Sequence, residues 1–138
     1  MDWRIKAGLQ KTLAMLPGGE RLQAWLQRRG LGGLALGDAL LQDRLEHVGR
    51  HLRAWRAGTA SFSPPCRVWE IGTGWYPVVP LGLWLCGCEQ VVSTDLRRLW
   101  REPLLAALVQ RLQQAAASGQ LAGWLPGCQP GRLAVLEE

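Results

Sequence analysis

Apolar and polar positions change period twice along this chain, and each change marks a new kind of element. From Asp38 to Gly58 the apolar residues Leu41, Leu45, Val48, Leu52 and Trp55 recur at spacings of four, three, four and three, which is one stripe of an α-helix. Asp38 is placed to cap its start and Gly58 to close it. Two other helical stretches precede it: residues 2–16, stopped by Pro17-Gly18-Gly19, and residues 20–29, ending in the glycine-rich run 30–37. Residues 59–66, rich in Ser, Thr and Pro, read as a linker. The composition then becomes that of a strand, because Arg67-Val68-Trp69-Glu70-Ile71 is β-branched and aromatic. Gly72-Thr73-Gly74 stops it with two residues that reach positive φ and leave no Cβ in a ligand's way. Pro77 and Pro80 fall in the first turn of the next helix, where proline is tolerated, and the helix is expected to run to about Cys88. Val91-Val92-Ser93-Thr94-Asp95 follows as a second strand. A helix over residues 103–117 puts Leu104, Leu105, Leu108 and Leu112 on one face, with Gly119 as its C-cap. The chain then turns through Gly123, Pro126, Gly127, Pro130 and Gly131, and residues 133–138 are placed to supply one more short strand.

Strand, glycine turn, helix, strand and acid make a nucleoside-binding crevice. Asp95 stands 23 residues after Gly72, close to the spacing of about 20 at which an acid accepts ribose hydroxyls. Counting Gly-x-Gly-x-x-Gly from Gly72 puts Gly74 second and Pro77 third. A proline there deletes a backbone N–H that a pyrophosphate needs, which weighs against a dinucleotide. No Gly-Lys-Ser/Thr follows the turn, which excludes a P-loop. What remains is a phosphate-free nucleoside, held by close backbone approach at Gly72 and Gly74 and by an acid on its ribose.

The run from Val68 to Trp75, with Asp95 closing the next strand, resembles the first two motifs of class I S-adenosylmethionine-dependent methyltransferases. In that family the pattern is acid-x-Gly-x-Gly-x-Gly, then an acid at the end of the second strand. The resemblance makes Glu70 the first acid, Gly72 and Gly74 the first two glycines with Thr73 between them, and Asp95 the ribose acid. Tyr76 stands where the third glycine usually is. Trp75-Tyr76-Pro77 looks like a variant found in poorly characterised bacterial members. The resemblance implies S-adenosylmethionine as cofactor and a Rossmann-like α/β methyltransferase fold. Over 138 residues that fold is expected to be incomplete, because the family's sheet has seven strands. The expected organisation is a basic helical region over residues 1–58, a linker over 59–66, and a partial cofactor-binding unit over 67–138. It would be the N-terminal, cofactor-binding portion of a longer protein, or a truncated product, inactive alone. The residues that choose the methyl acceptor normally lie later in this family, so no catalytic residue is assigned.

Each residue also has a plainer reading. Gly72-Thr73-Gly74 serves equally as a tight turn, Asp95 as a helix cap or loop acid, and Glu70 as the partner of a neighbouring Arg. Two other functions follow from those readings: a non-enzymatic helical interaction module, and an NAD-dependent oxidoreductase fragment, which Pro77 disfavours.

Charge adds a possible partner class. Residues 1–60 hold ten Lys/Arg against five Asp/Glu and residues 61–138 six against six, so the whole net +5 lies in the first part. That surface suits an anionic partner, nucleic acid or membrane, against the ordinary alternative of a solvated helical face. Four cysteines, Cys66, Cys86, Cys88 and Cys128, lack zinc spacing and are expected to be buried free thiols. His47 and His51, four apart, lack the intervening Glu of a His-Glu-x-x-His site, so no metal is expected. Of the eight tryptophans, most are expected in the core, with Trp3 and Trp25 at a membrane or partner surface. Residues 71–88 carry no charge, but glycines and prolines interrupt them, which suits a buried crossover helix and no transmembrane segment. No secretory signal is visible, and reduced thiols make the cytoplasm the expected compartment.

Overall fold

The computed structural model describes residues 12, 36–96 and 99–137. The helices expected over 2–16 and 20–29, with Trp3, Trp25 and most of the basic surface, lie outside the described residues. Leu36–Glu138 makes one compact unit.

Helix α1, Asp38–Thr59, follows the apolar stripe closely: Leu41, Leu45, Val48 and Leu52 are buried. Its last stripe residue departs, since Trp55 is 40% exposed and donates from Nε1 to Ser63 O at 3.2 Å. Both predicted ends shift. Gly37 occupies the cap position and Asp38 is the first helical residue, its carboxylate paired with Arg111 instead of with the helix's own amides. Gly58 does not close the helix; Ala60 does, in the left-handed region at φ 52°.

Strand β1, Arg67–Ile71, helix α2, Val78–Leu85, and strand β2, Gln90–Thr94, form a βαβ unit. The strands are parallel and in register, with Trp69 opposite Val92 and Glu70 opposite Ser93. Helix α2 is shorter than expected, ending at Leu85 and turning through Gly87 at φ 103°. It lies tightly on α1, because a Cβ on Gly82 would stand 2.9 Å from Val48 Cγ2. Only a glycine lets the two backbones approach so far. Val68 and Val91 turn toward the shared core, whereas Trp69 and Ile71 on the opposite sheet face are 72% and 82% exposed. Helix α1, which the sequence grouped with the N-terminal region, therefore packs on the strand-bearing part.

Helix α3, Glu102–Ala117, buries Leu108, Leu112 and Ala115, and Gly119 takes the left-handed conformation just past its end at φ 77°. The tail differs from expectation. Where only turns were foreseen, helix α4 forms over Gln120–Trp124, and the expected last strand is instead helix α5, Pro130–Ala134, continued by a 3-10 turn, Val135–Glu137. Tertiary bonds favour the helical form there. Gln129 N donates to Leu85 O at 2.9 Å, and Arg132 Nη1 donates to Trp84 O at 2.7 Å and Cys88 O at 2.6 Å. The guanidinium also lies 5.3 Å from the centre of the Trp84 ring. A cation thus satisfies carbonyls at the carboxyl end of α2, where the helix dipole is negative.

The described residues are thus of mixed helix and strand, in keeping with the α/β class and with two strands among them. None of their helices is long and apolar enough to cross a membrane.

Candidate functional site

Parallel strands end together on one side of a sheet, and their loops there form a natural crevice. Glu70 occupies the fourth position of β1, Gly72 to Gly74 leave its carboxyl end, and Asp95 directly follows β2. The structure brings all five sequence-derived residues, Glu70, Gly72, Thr73, Gly74 and Asp95, to this one end.

The glycines behave as the turn requires. Gly72 at φ 94° and Gly74 at φ 71° lie in the region that side chains rarely adopt, and open space surrounds the position of a Cβ at both. Gly72 N donates to Thr94 O at 2.7 Å, prolonging the ladder by one bond. Gly74 N donates to Asp95 Oδ2 at 2.8 Å. That bond ties the glycine turn to the acid at the end of the neighbouring strand.

Ser93 is the residue sequence reasoning missed. Its Oγ donates to Glu70 Oε2 and bonds Thr73 Oγ1. A hydroxyl has one proton, and an ionised carboxylate only accepts. Thr73 therefore donates to Ser93, and Ser93 to Glu70. Thr73 is buried, at 8% exposure, so this relay satisfies a hydroxyl withdrawn from water. The available signal was a polar residue two positions before Asp95, on the strand face that the parallel register sets opposite Glu70. Glu70 pairs with a hydroxyl here, where the sequence offered an Arg or a ligand's ammonium.

Two carboxylates stand at the crevice among the described residues. Between Glu70 and Leu96 the chain carries no Lys or Arg, while Glu70 and Asp95 face the turn. The opening of α2 offers little to an anion: Pro77 and Pro80 have no N–H, and Val78 N is engaged by Tyr76 O at 2.8 Å. Of that first turn, Val79 alone retains an amide for a phosphate.

Other candidates resolve differently. Among the described residues no group of three or more His, Cys, Asp or Glu is arranged to hold a metal. His47 Nδ1 lies 3.1 Å from Asp43 O and 3.6 Å from Asp43 Oδ2, an ordinary contact along one helix. Cys86 and Cys88 are buried and Cys128 half-buried, but Cys66 is exposed, which corrects the expectation for that thiol. Burial pushes the Cys86 thiol up to about 12, with Cys128 and Cys88 adding to the effect, and raises Cys88 and Cys128 as well. Such thiols stay protonated and are poor nucleophiles.

Comparison of the chain with models of protein families, with curated proteins and with solved structures gives no match in any of the three.

Proposed function

We propose that the crevice at the carboxyl ends of β1 and β2 binds a phosphate-free nucleoside cofactor, S-adenosylmethionine, as the cofactor-binding part of a methyltransferase. The observation that carries this reading is the Gly74 N–H to Asp95 carboxylate bond, which sets an acid at the end of β2 beside two open glycine positions. The carboxylates of Glu70 and Asp95 support it further, because this cofactor brings a sulfonium and an ammonium, whereas a dinucleotide brings a pyrophosphate. The poor supply of free amides at the start of α2, where Pro77 and Pro80 have no N–H, points the same way.

In this assignment Gly72 and Gly74 let the backbone approach the ligand. Asp95 accepts from the ribose hydroxyls while keeping Gly74 in place. Glu70 and Thr73, joined through Ser93, hold the turn between the strands and leave a negative charge near the ligand's ammonium. When bound, the cofactor supplies an electrophilic methyl group; the protein's share is position and electrostatics. The methyl acceptor belongs to other residues, and none of these five is assigned to it.

Isothermal calorimetry on the full chain tests the proposal. S-adenosylmethionine and its demethylated product should bind, with little response to NAD. Equal or tighter binding of NAD would reverse the assignment. A folded protein that binds neither would return Gly72-Thr73-Gly74 to the role of a turn, in a helical interaction module.

A further inference from the structure

Strand β1 delivers Glu70 to the crevice with its main chain already held. Its carbonyl accepts from Thr94 Oγ1 at 3.2 Å, and the parallel register sets the residue opposite Ser93. What the strands leave open is the carboxylate. A glutamate side chain turns about several single bonds, and confining it to one arrangement costs rotamer freedom, which a ligand must otherwise offset on binding.

Ser93 removes that freedom before a ligand arrives. Thr73 Oγ1 donates to Ser93 Oγ, so the single proton of the serine hydroxyl is directed to Glu70 Oε2. The chain of bonds is anchored at its buried end, because the Thr73 hydroxyl is withdrawn from water. Each bond polarises the next, which strengthens the last. With Oε2 engaged, Oε1 of the same carboxylate keeps its lone pairs. Thr73 also adjoins Gly74, whose N–H holds Asp95 at 2.8 Å. One turn thus sets both acids, Glu70 through a side chain and Asp95 through the backbone.

The geometry points to Ser93 as a positioning residue, which holds the Glu70 carboxylate ready for the ammonium of a ligand whose ribose lies on Asp95. That role rests on the cofactor reading above and goes beyond it, because it gives a serine acting only through Glu70 a share in choosing ligands that carry the amino-acid portion. A serine that served the loop alone would affect every ligand alike.

Two probes that differ by the ammonium alone test it: the demethylated product of S-adenosylmethionine and its deaminated analogue, each titrated calorimetrically into the full chain. The parent should prefer the first by about tenfold or more, the worth of a charged hydrogen bond. Ser93→Ala should reduce that preference about three- to tenfold, with the deaminated analogue bound as by the parent. Ser93→Thr keeps the hydroxyl and suits a strand, so it should restore the preference. Both probes meet the same folded protein, and a change in stability therefore drops out of their ratio. Ser93→Cys, close in shape but a weak donor, should fall between and takes the place of an alanine variant that does not fold. In a Glu70→Gln background the charge is gone, and Ser93→Ala should leave the ratio unchanged. An undiminished preference in Ser93→Ala, an equal loss for both probes, or a loss that persists beside Glu70→Gln would each overturn the proposal while the cofactor assignment stands. A folded parent that binds neither probe would overturn both.

Discussion

The two borders of β1 differ in how their polar groups are satisfied. At its carboxyl end Gly72, Gly74, Thr73 and Glu70 all find partners on or just after β2. Along its outer edge Arg67, Trp69 and Ile71 present backbone groups to an apolar trough with no partner among the described residues. At the first border the polar groups of the loop satisfy one another across the two strands. The difference is one of geometry: hydrogen bonds across the strands close the carboxyl end, while the outer edge runs beside apolar side chains of α1 and α2.

The largest effect should come from the scaffold that both borders share. Leu45 is fully buried between α1 and its neighbours, so Leu45→Ala should cost about 2–5 kcal/mol of stability. Chemical denaturation followed by tryptophan fluorescence would measure it. If stability fell while cofactor affinity at native conditions stayed near the parent value, the core would be separable from the crevice.

Next comes the acid. A carboxylate accepting from ribose hydroxyls contributes about 1.5–3 kcal/mol per charged hydrogen bond, so Asp95→Ala should weaken cofactor binding about 10- to 100-fold. Asp43→Ala on the exposed side of α1 should leave cofactor binding unchanged. Calorimetry beside melting curves separates the outcomes. An Asp95→Ala protein that binds like the parent would remove the ribose assignment.

Gly74→Ala should act through the backbone alone. Open space surrounds the new Cβ, but φ is 71°, a conformation that costs an L-residue about 1–2 kcal/mol. The variant should lose up to that amount of stability and should loosen cofactor binding through the displaced Gly74 N–H. A Gly82→Ala control tests the opposite cause, because its Cβ would press on Val48 at 2.9 Å. Overpacking of about 1–3 kcal/mol there should outweigh the helix-propensity gain of about 1 kcal/mol.

The smallest effects concern the thiols. Cys66 is exposed and should be alkylated first at neutral pH, with Cys86 reacting only on unfolding; mass spectrometry of partly modified protein gives the order. Cys86 has a folded value of about 12 against 9.0 for a free thiol. From about pH 9 toward 12 the unfolded chain then binds fewer protons than the folded one, so stability should fall as pH rises through that window. A melting temperature that rises over the same range would show that Cys86 is not withdrawn from water.

How much was legible depended on how local each determinant is. The stripe Leu41, Leu45, Val48 and Leu52 fixed a helix and its buried face, because a 3.6-residue period is written directly in the chain. The strand, glycine turn, strand and Asp95 were equally readable, since each rests on backbone freedom or on a short spacing. What the sequence did not disclose involves partners far apart in the chain. Asp38 left its capping role for Arg111, and the tail became helical where Arg132 meets the carbonyls of Trp84 and Cys88. Ser93 joined Glu70 to Thr73 only once the parallel register set residue 93 opposite residue 70. Sequence pattern alone thus determined α1, the two strands with the helix between them, α3, and which residues crowd the crevice. Tertiary structure decided which polar groups satisfy one another, because a hydrogen bond depends on distance in space and the chain records only distance along itself.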